Sequence, residues 1–449
     1  MFRKVLVANR GAVAARVLRA LATLGIPSVA VYSDADAQAP YLAMAHETFH
    51  LGPAAPLQSY LNQDALLDVL ARCGADALHP GYGFLSENAP FAERVEARGV
   101  RFIGPAPRWI DVMGHKTRAR DLAARSGLPV GAGSGVIGDA AAAQSSAAAI
   151  GYPVLVKPAA GGGGIGMIAV HTPDALPDAV ERAAAIGRRG FANGDVYLER
   201  LIERPRHIEF QLLGDRAGNV RHLFERDCSV QRRHQKIVEE APAPGLARGA
   251  ATAQAQQVAD TLRRLGYDNI GTVEMLMGGD GDFTFLEMNT RLQVEHGVTE
   301  AVTGTDLVVA QIRSAAGEAL ESILPPALDV TGHALEARVY AEDPRRFLPS
   351  PGPLRVFRPP VADGVRVETG YAEGQVVTPH YDPLLAKVIV HAPTRDAAID
   401  ALCDALHAFA IEGVKHNVPA LLRIVASDEF RAARLHTGLV DEVLARDAR

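Results

Sequence analysis

The apolar and polar positions fall into blocks whose period changes along the chain, and the blocks describe three units. Residues 4–8 are an apolar run. After Asn9-Arg10-Gly11 the pattern turns helical, with Val13, Val17, Leu18, Leu21 and Leu24 on one side, the spacing of an amphipathic helix. Gly25 ends it, and Pro27 to Tyr32 supplies a second strand. Asp64 to Cys73 is a further amphipathic helix, Ala75 to Leu78 a strand, and Arg101 to Gly104 closes the unit before Pro105 and Pro107. This order predicts a doubly wound α/β opening. Gly11 stands alone, without G-x-G-x-x-G, which argues against a dinucleotide site. The loop His79-Pro80-Gly81-Tyr82-Gly83-Phe84-Leu85-Ser86-Glu87-Asn88 follows a strand's C-terminal end, where such sheets place their sites. Its composition fits a plain turn equally well.

The second unit starts near residue 114. A helix begins at Lys116 and ends near Gly127-Leu128-Pro129. Tyr152 to Pro158 reads as a strand carrying Lys157 at its end, followed by five glycines within residues 161–166 and a second strand to Val170. Backbone N–H groups of such a loop close over phosphates, and the lysine is a compact charge beside them. No GxxxxGK[ST] occurs and a strand follows, so this is not a P-loop. Asp195 to Ile202 is another strand, and Arg206 to Leu212 alternates as a half-buried strand does. Glu225 to Lys236 is the most polar stretch, and its mixed charges fit a cation-lined site or a solvated loop. Asn269–Met277 and Phe283–Glu287 pair as a hairpin across Gly278 to Asp282, which brings Glu274 and Glu287 together. Two carboxylates and the Asn289 amide are hard oxygen ligands suited to Mg²⁺ or Mn²⁺. If the chain stays extended, Glu287, Asn289, Arg291, Gln293 and Glu295 share one face. That face would offer metal ligands, a fixed cation and a spare carboxylate; the plainer alternative is an ion-paired edge strand.

After a helix (Asp306 to Ala319) and Pro325-Pro326, short β segments run from about His333 to Val390, and the C-terminus is helical. Composition adds exclusions. The 449 residues are 48% hydrophobic and 22% charged, with a net charge of −6; this is a soluble, multi-domain composition that gives no reason to expect nucleic acid or an anionic membrane as partner. Cys73, Cys228 and Cys403 form no CxxC pair, so neither a disulfide framework nor a cysteine zinc site is indicated and a cytoplasmic setting is expected. The N-terminus enters a strand at once, with no signal-peptide pattern, and no run of about 18 uncharged apolar residues exists.

Taken together the motifs resemble the biotin carboxylases, the ATP-grasp components of biotin-dependent acyl-CoA carboxylases. They are ANRG at 8–11, HPGYGFLSEN at 79–88, the Gly loop at 161–167, RDCSVQRRHQKIVEEAPAP at 226–244, EMNTRLQVEH at 287–296 and AEDP at 341–344. The resemblance implies an N-terminal α/β domain (1–113), an ATP-grasp domain (114–330) with a mobile lid at about 131–203, and a β-rich C-terminal domain (331–449). It implies ATP contacts at Lys116, Lys157, Gly163, Gly164, Glu199, Arg200, Leu201, Ile202, His207, Gln231 and His234, with two Mg²⁺ or Mn²⁺ ions held by Glu274, Glu287 and Asn289. Lys236, Arg291 and Val294 then match the bicarbonate pocket, Glu295 its general base, Arg338 the residue facing the biotin ureido group, and Tyr82 and Gly83 a loop near that biotin.

The sequence departs from the family pattern at four positions: Ala12, His115, Ile165 and Gly297 stand where an acid, an aspartate, a basic residue and a proline are usual. No Met-Lys-Met biotinylation tripeptide occurs. The biotin is therefore expected on a separate biotin carboxyl carrier protein, with transfer on a carboxyltransferase subunit, and the resemblance implies a homodimer. The expected acceptor is an acyl-CoA, acetyl-CoA foremost. Another ATP-grasp ligase that activates a different carboxylate, or an idle nucleotide-binding regulator, are the alternatives.

Overall fold

The computed structural model describes residues 1–159, 166–191 and 193–446. Its first unit is a five-stranded parallel sheet of β1 (Val5–Val7), β2 (Ser28–Ser33), β3 (Glu47–Gly52), β4 (Ala77–His79) and β5 (Arg101–Phe102), in the order β3-β2-β1-β4-β5. Val5, Leu6 and Val7 are fully buried, as strands covered by helices on both faces must be. The order reverses between β1 and β4, so the loops leaving those strands diverge and open a crevice there. Asn9, just past β1, spans it: its Nδ2 donates to the carbonyls of Pro80 at 2.7 Å and Tyr82 at 2.8 Å. Strand β3 is absent from the sequence reading, because its alternating exposed positions and lack of turn signals hide an edge strand.

A second, smaller sheet consists of β6 (Val154–Pro158), β7 (Ile168–Val170) and β8 (Val196–Arg200), all antiparallel in the order β7-β6-β8. The helices Ala140–Ile150 and Leu176–Phe191 cover it and form a core of their own around Val154, Val156, Leu176 and Leu198. Gly163, Gly164 and Ile165 lie outside the described residues.

The body of the molecule is one eight-stranded antiparallel sheet. Its strands are β9 (Arg206–Gly214), β10 (Val220–Arg232), β11 (Gln235–Ala241), β12 (Ile270–Met277), β13 (Phe283–Asn289) and β14 (His333–Tyr340). The short strands β15 (Gly352–Pro353), β16 (Val356–Arg358) and β18 (Val376–Val377) lie apart, while β17 (Val365–Thr369) and β19 (Leu384–Ala392) complete it. The order is β13-β12-β9-β10-β11-β14-β19-β17, so the C-terminal β segments continue the sheet that carries the metal-type carboxylates. The polar stretch Glu225 to Lys236 is no solvated loop. It is the inner part of β10 and the turn into β11, and Glu225 to Arg232 are all buried. Among the described residues no helix is long and apolar enough to cross a membrane.

Candidate active site

Strand register builds the site. Glu287 on β13 stands opposite Glu274 on β12, Glu274 opposite Glu209 on β9, and Glu209 opposite Arg226 on β10. Three carboxylates in one row repel one another, and the fold supplies two cations against them. Arg226, fully buried, donates from Nε to Glu209 Oε1 at 2.5 Å and from Nη1 to Gln211 and Thr299, each at 2.8 Å. Lys236 reaches across from β11, and its Nζ lies 2.6 Å from Glu209, 2.8 Å from Glu274 and 2.7 Å from Glu295. Burial alone would lower the Lys236 pKa, but these three carboxylates hold it well above the ordinary lysine value.

Glu295 reaches this cluster by a route the alternation rule misses. Strand β13 ends at Asn289, the chain turns, and Glu295 arrives as the residue before the helix His296–Thr303. The expected shared face therefore stops at Asn289, and it is the turn that brings Glu295 back to β11 and β14. There its two oxygens are divided: Oε1 accepts from Lys236, and Oε2 accepts from Arg338 Nη2 at 2.9 Å. Burial would raise this carboxyl, but Lys236, Arg338 and Arg226 together pull it well below the usual carboxylate range. Glu274 follows the same logic, with Lys236 and His207 overcoming its burial. Glu287 goes the other way: burial and the Glu274 charge raise it, with Lys116 opposing.

That imbalance is the test of a metal here. A carboxylate destabilised by a neighbouring carboxylate, beside an amide, is a donor set that a hard divalent cation relieves. Asn289 donates Nδ2 to Glu274 Oε1 at 2.8 Å and accepts from Arg291 Nη2 at 2.9 Å, so Glu274, Glu287 and Asn289 fit such an ion. Arg291 is fixed from the other side by Glu87, whose Oε2 accepts from Nε at 2.8 Å while its Oε1 accepts from the Thr290 N–H at 3.1 Å. Val294 turns its carbonyl to Lys387 Nζ at 2.5 Å.

The remaining candidates divide between two bodies. His207 is buried on β9, with Nε2 3.1 Å from Glu274 and Nδ1 3.0 Å from the Gln231 amide. His234 and Arg233 form the two-residue tip between β10 and β11, both with positive φ (65° and 49°), a left-handed backbone that side chains adopt only under constraint. Lys116 opens the helix Lys116–Arg125, where burial lowers it and Glu287 raises it. His115 precedes it without a side-chain cap, and Ala12 leaves the first turn of the helix Gly11–Thr23 without an acid. On the small sheet, Lys157 donates to Glu199 at 2.9 Å, and Arg120 donates to the other Glu199 oxygen at 3.0 Å. The Glu199 carboxylate is thus a clamp on Lys157. The N–H groups of Arg200 and Leu201 are taken by the Ala132 and Pro153 carbonyls, at 2.8 and 3.0 Å.

Tyr82 is half-buried above β14 in the field of Arg338, and Gly83 takes a left-handed turn beside it (φ 70°). Gly297 is buried, and a Cβ there would lie 2.5 Å from Ile389 Cδ1. Sequence reasoning assigns no role to Glu87, Glu209, Arg226, Glu239, Glu336 or Lys387. Each looks like an ordinary polar strand or loop position, and only the register across distant strands reveals it.

Three family models match in succession: the biotin carboxylase N-terminal domain over residues 1–110, the carbamoyl-phosphate synthase L chain ATP-binding domain over 115–323, and the biotin carboxylase C-terminal domain over 336–442. Biotin carboxylase 2 of Bacillus subtilis is 46% identical over 99% of this chain and 100% of its own length. The chain belongs to the biotin carboxylase family. It is an ATP-dependent ligase that carboxylates biotin with bicarbonate. A pyruvate carboxylase subunit from Methanothermobacter thermautotrophicus is likewise 46% identical, over 98% of this chain and 90% of its own. The crystallised dimer of the biotin carboxylase domain of Hydrogenobacter thermophilus 2-oxoglutarate carboxylase, in complex with MgADP, ADP and bicarbonate, is 43% identical. It superposes with a TM-score of 0.94 over 99% of each chain. The N-terminal α/β unit, ATP-grasp body and β-rich C-terminal unit are those of a biotin carboxylase.

Proposed function

We propose that Glu295 is the general base that takes the bicarbonate proton, between Lys236 and Arg291 on the bicarbonate side and Arg338 on the biotin side. The observation that carries this reading is the division of the Glu295 carboxylate, one oxygen on Lys236 and the other on Arg338. Bicarbonate is a weak nucleophile that must meet the γ-phosphoryl group in line, so position and charge dominate its activation. Lys236 is saturated by three carboxylates at rest. An entering bicarbonate competes for it, which releases part of the pull that keeps Glu295 acidic and leaves the carboxylate a better base as the anion binds. As bicarbonate gives its proton to Glu295, its oxygen bonds to the γ-phosphorus and ADP leaves, and the resulting carboxyphosphate breaks down to CO₂ and phosphate. Arg338, always charged, then faces the ureido oxygen as negative charge gathers there, while N1′ passes its proton to the released phosphate and bonds to CO₂.

Lys116 and Lys157 neutralise phosphate charge, and His207, Gln231 and His234 line the nucleotide side. With two backbone N–H groups of Glu199 to Ile202 already taken, an adenine meets that segment at Ile202. Glu274, Glu287 and Asn289 would hold Mg²⁺ or Mn²⁺, which screens the triphosphate charge when bound. The biotin is delivered on a separate carrier protein, and a carboxyltransferase subunit completes the reaction. The Hydrogenobacter relative crystallised as a dimer supports a homodimer here; sedimentation that finds only monomer at micromolar concentration counts against it. The acetyl-CoA acceptor has equal competitors, since relatives from a pyruvate carboxylase and from a 2-oxoglutarate carboxylase match this chain about as well as the biotin carboxylase of Bacillus does. Co-purification with the native carboxyltransferase decides among them.

Phosphate release from ATP by the purified chain tests the reading: it should require bicarbonate and rise with free biotin. Release driven instead by an amino acid or a purine intermediate would establish a different ATP-grasp ligase.

A further inference from the structure

Behind Arg338 stand two carboxyl groups that the reaction above leaves unused. Glu239 on β11 is the register partner of Glu336 on β14. Their side chains therefore leave the same face of the sheet, with Cβ atoms about 5 Å apart. Both residues are fully buried. Glu239 Oε1 accepts from Arg338 Nε at 2.6 Å, and Glu336 Oε2 lies 3.5 Å from Lys387 Nζ. The other oxygen of each, Oε2 of Glu239 and Oε1 of Glu336, has no hydrogen-bond partner among the described residues. Two facing carboxylates in a dry interior do not both ionise. One proton on the pair turns an unpartnered acceptor into a donor that the facing carboxylate can accept.

We infer that Glu239 and Glu336 hold a single proton between them and act as positioning residues that set the charge Arg338 meets from behind. The proposal rests on the biotin carboxylase reading of Arg338. The surroundings agree with it. Arg338 and Tyr340 on β14, Lys236 on β11, Lys387 on β19, Glu368 on β17, Glu295 before its helix and Tyr82 from the loop all bear on the pair. His296 stays uncharged in its burial. Burial raises Glu239 to about 8 against the pull of Arg338, and raises Glu336 to about 7 against Lys387 and Arg338. With the proton in place, the pair presents one negative charge to Arg338, leaving the guanidinium cationic toward the ureido oxygen. When the proton leaves to solvent, a second carboxylate competes for Arg338 and the biotin-dependent step slows. Arg338 Nη2 also holds Glu295 at 2.9 Å, so ATP cleavage with bicarbonate alone meets the pair only indirectly, through that contact.

The test compares pH profiles of biotin-dependent and biotin-independent ATP cleavage in the wild type, Glu336→Gln and Glu239→Gln. A glutamine amide donates permanently where the shared proton sat. The expected result is an alkaline limb in the biotin-dependent kcat/KM that shifts upward by about one pH unit or more, or disappears, in Glu336→Gln. The biotin-independent profile, which meets the pair only through the Arg338 contact with Glu295, shifts by less than the biotin-dependent one. Infrared difference spectra between about pH 6 and pH 9 should show a protonated carboxyl band in the wild type that both variants lack. A biotin-dependent alkaline limb unmoved in both variants, or a wild type without the carboxyl band, overturns the proposal. A band that behaves as expected in a chain that biotin does not stimulate upholds the shared proton and overturns the functional reading instead.

Discussion

Arg226 illustrates how much of the site is held by residues that touch no substrate. It has no exposed surface, and together with Lys236 it lets Glu209 lie beside Glu274. A buried ion pair is weak evidence of net stability, but breaking one strands a charge and costs about 3–5 kcal/mol. Arg226→Met should lower the thermal midpoint sharply and should also disturb Lys236, which would inherit the whole Glu209 charge. A midpoint within a degree or so of wild type would show that Lys236 alone suffices to hold Glu209. The sequence displays Arg226 inside a recognisable motif but carries no sign of its task, since the partner lies 17 positions away on another strand.

Among the elements, the strands β12 and β13 and their hairpin turn were legible from the apolar run Phe283 to Leu286 and the glycines of the turn, and so was the meeting of Glu274 with Glu287. Three things were not. Strand β3 is a half-exposed edge with no apolar period. Strands β9 and β10 are buried on both faces, with Ile208, Phe210 and Leu212 of β9 against the core and His207, Glu209 and Gln211 against the site, so the alternation read as a half-buried strand marks no solvent face. The turn after Asn289 obeys no period at all, and it decides where Glu295 points. The loop after β4 shows how tightly such turns are specified: Gly81 has φ +66°, and a Cβ there would lie 2.9 Å from both Asn9 Nδ2 and Val13 Cγ2. Gly81→Ala meets a left-handed penalty of about 1–2 kcal/mol and pushes Asn9 off the Pro80 and Tyr82 carbonyls. Its clearest sign should be a higher KM for biotin with the KM for ATP unchanged. Equal rises in both would place the loop's influence elsewhere.

Over the whole molecule, one continuous sheet carries the carboxylates of β9, β12 and β13 and, on β11 and β14, Glu239, Glu336 and Arg338, with Lys236 and Glu295 between the two groups. The signs differ. Glu274 and Glu295 lie below their unfolded values; their contribution to stability is present above about pH 4.5 and fades as pH falls toward their folded pKa values. Glu239 and Glu336 are raised, to about 8 and about 7. The folded chain then keeps, between them, a proton that the unfolded chain has released, and its contribution falls as pH rises from about 4.5 through those values. Thermal midpoints should therefore drop on the acid side, and also fall from about pH 5 to pH 8 in a way that Glu336→Gln reduces. An identical fall in that variant would assign the alkaline loss to other groups.

The chemistry of the first step hangs on Glu295, divided between Lys236 and Arg338, removing the bicarbonate proton. Its most direct measurement is single-turnover phosphate release from ATP with saturating bicarbonate and free biotin, comparing the wild type with Glu295→Gln. The expected outcome is a loss of about 10²–10⁴-fold in rate, with nucleotide affinity kept within a few-fold. A Glu295→Gln variant as fast as the wild type would contradict it.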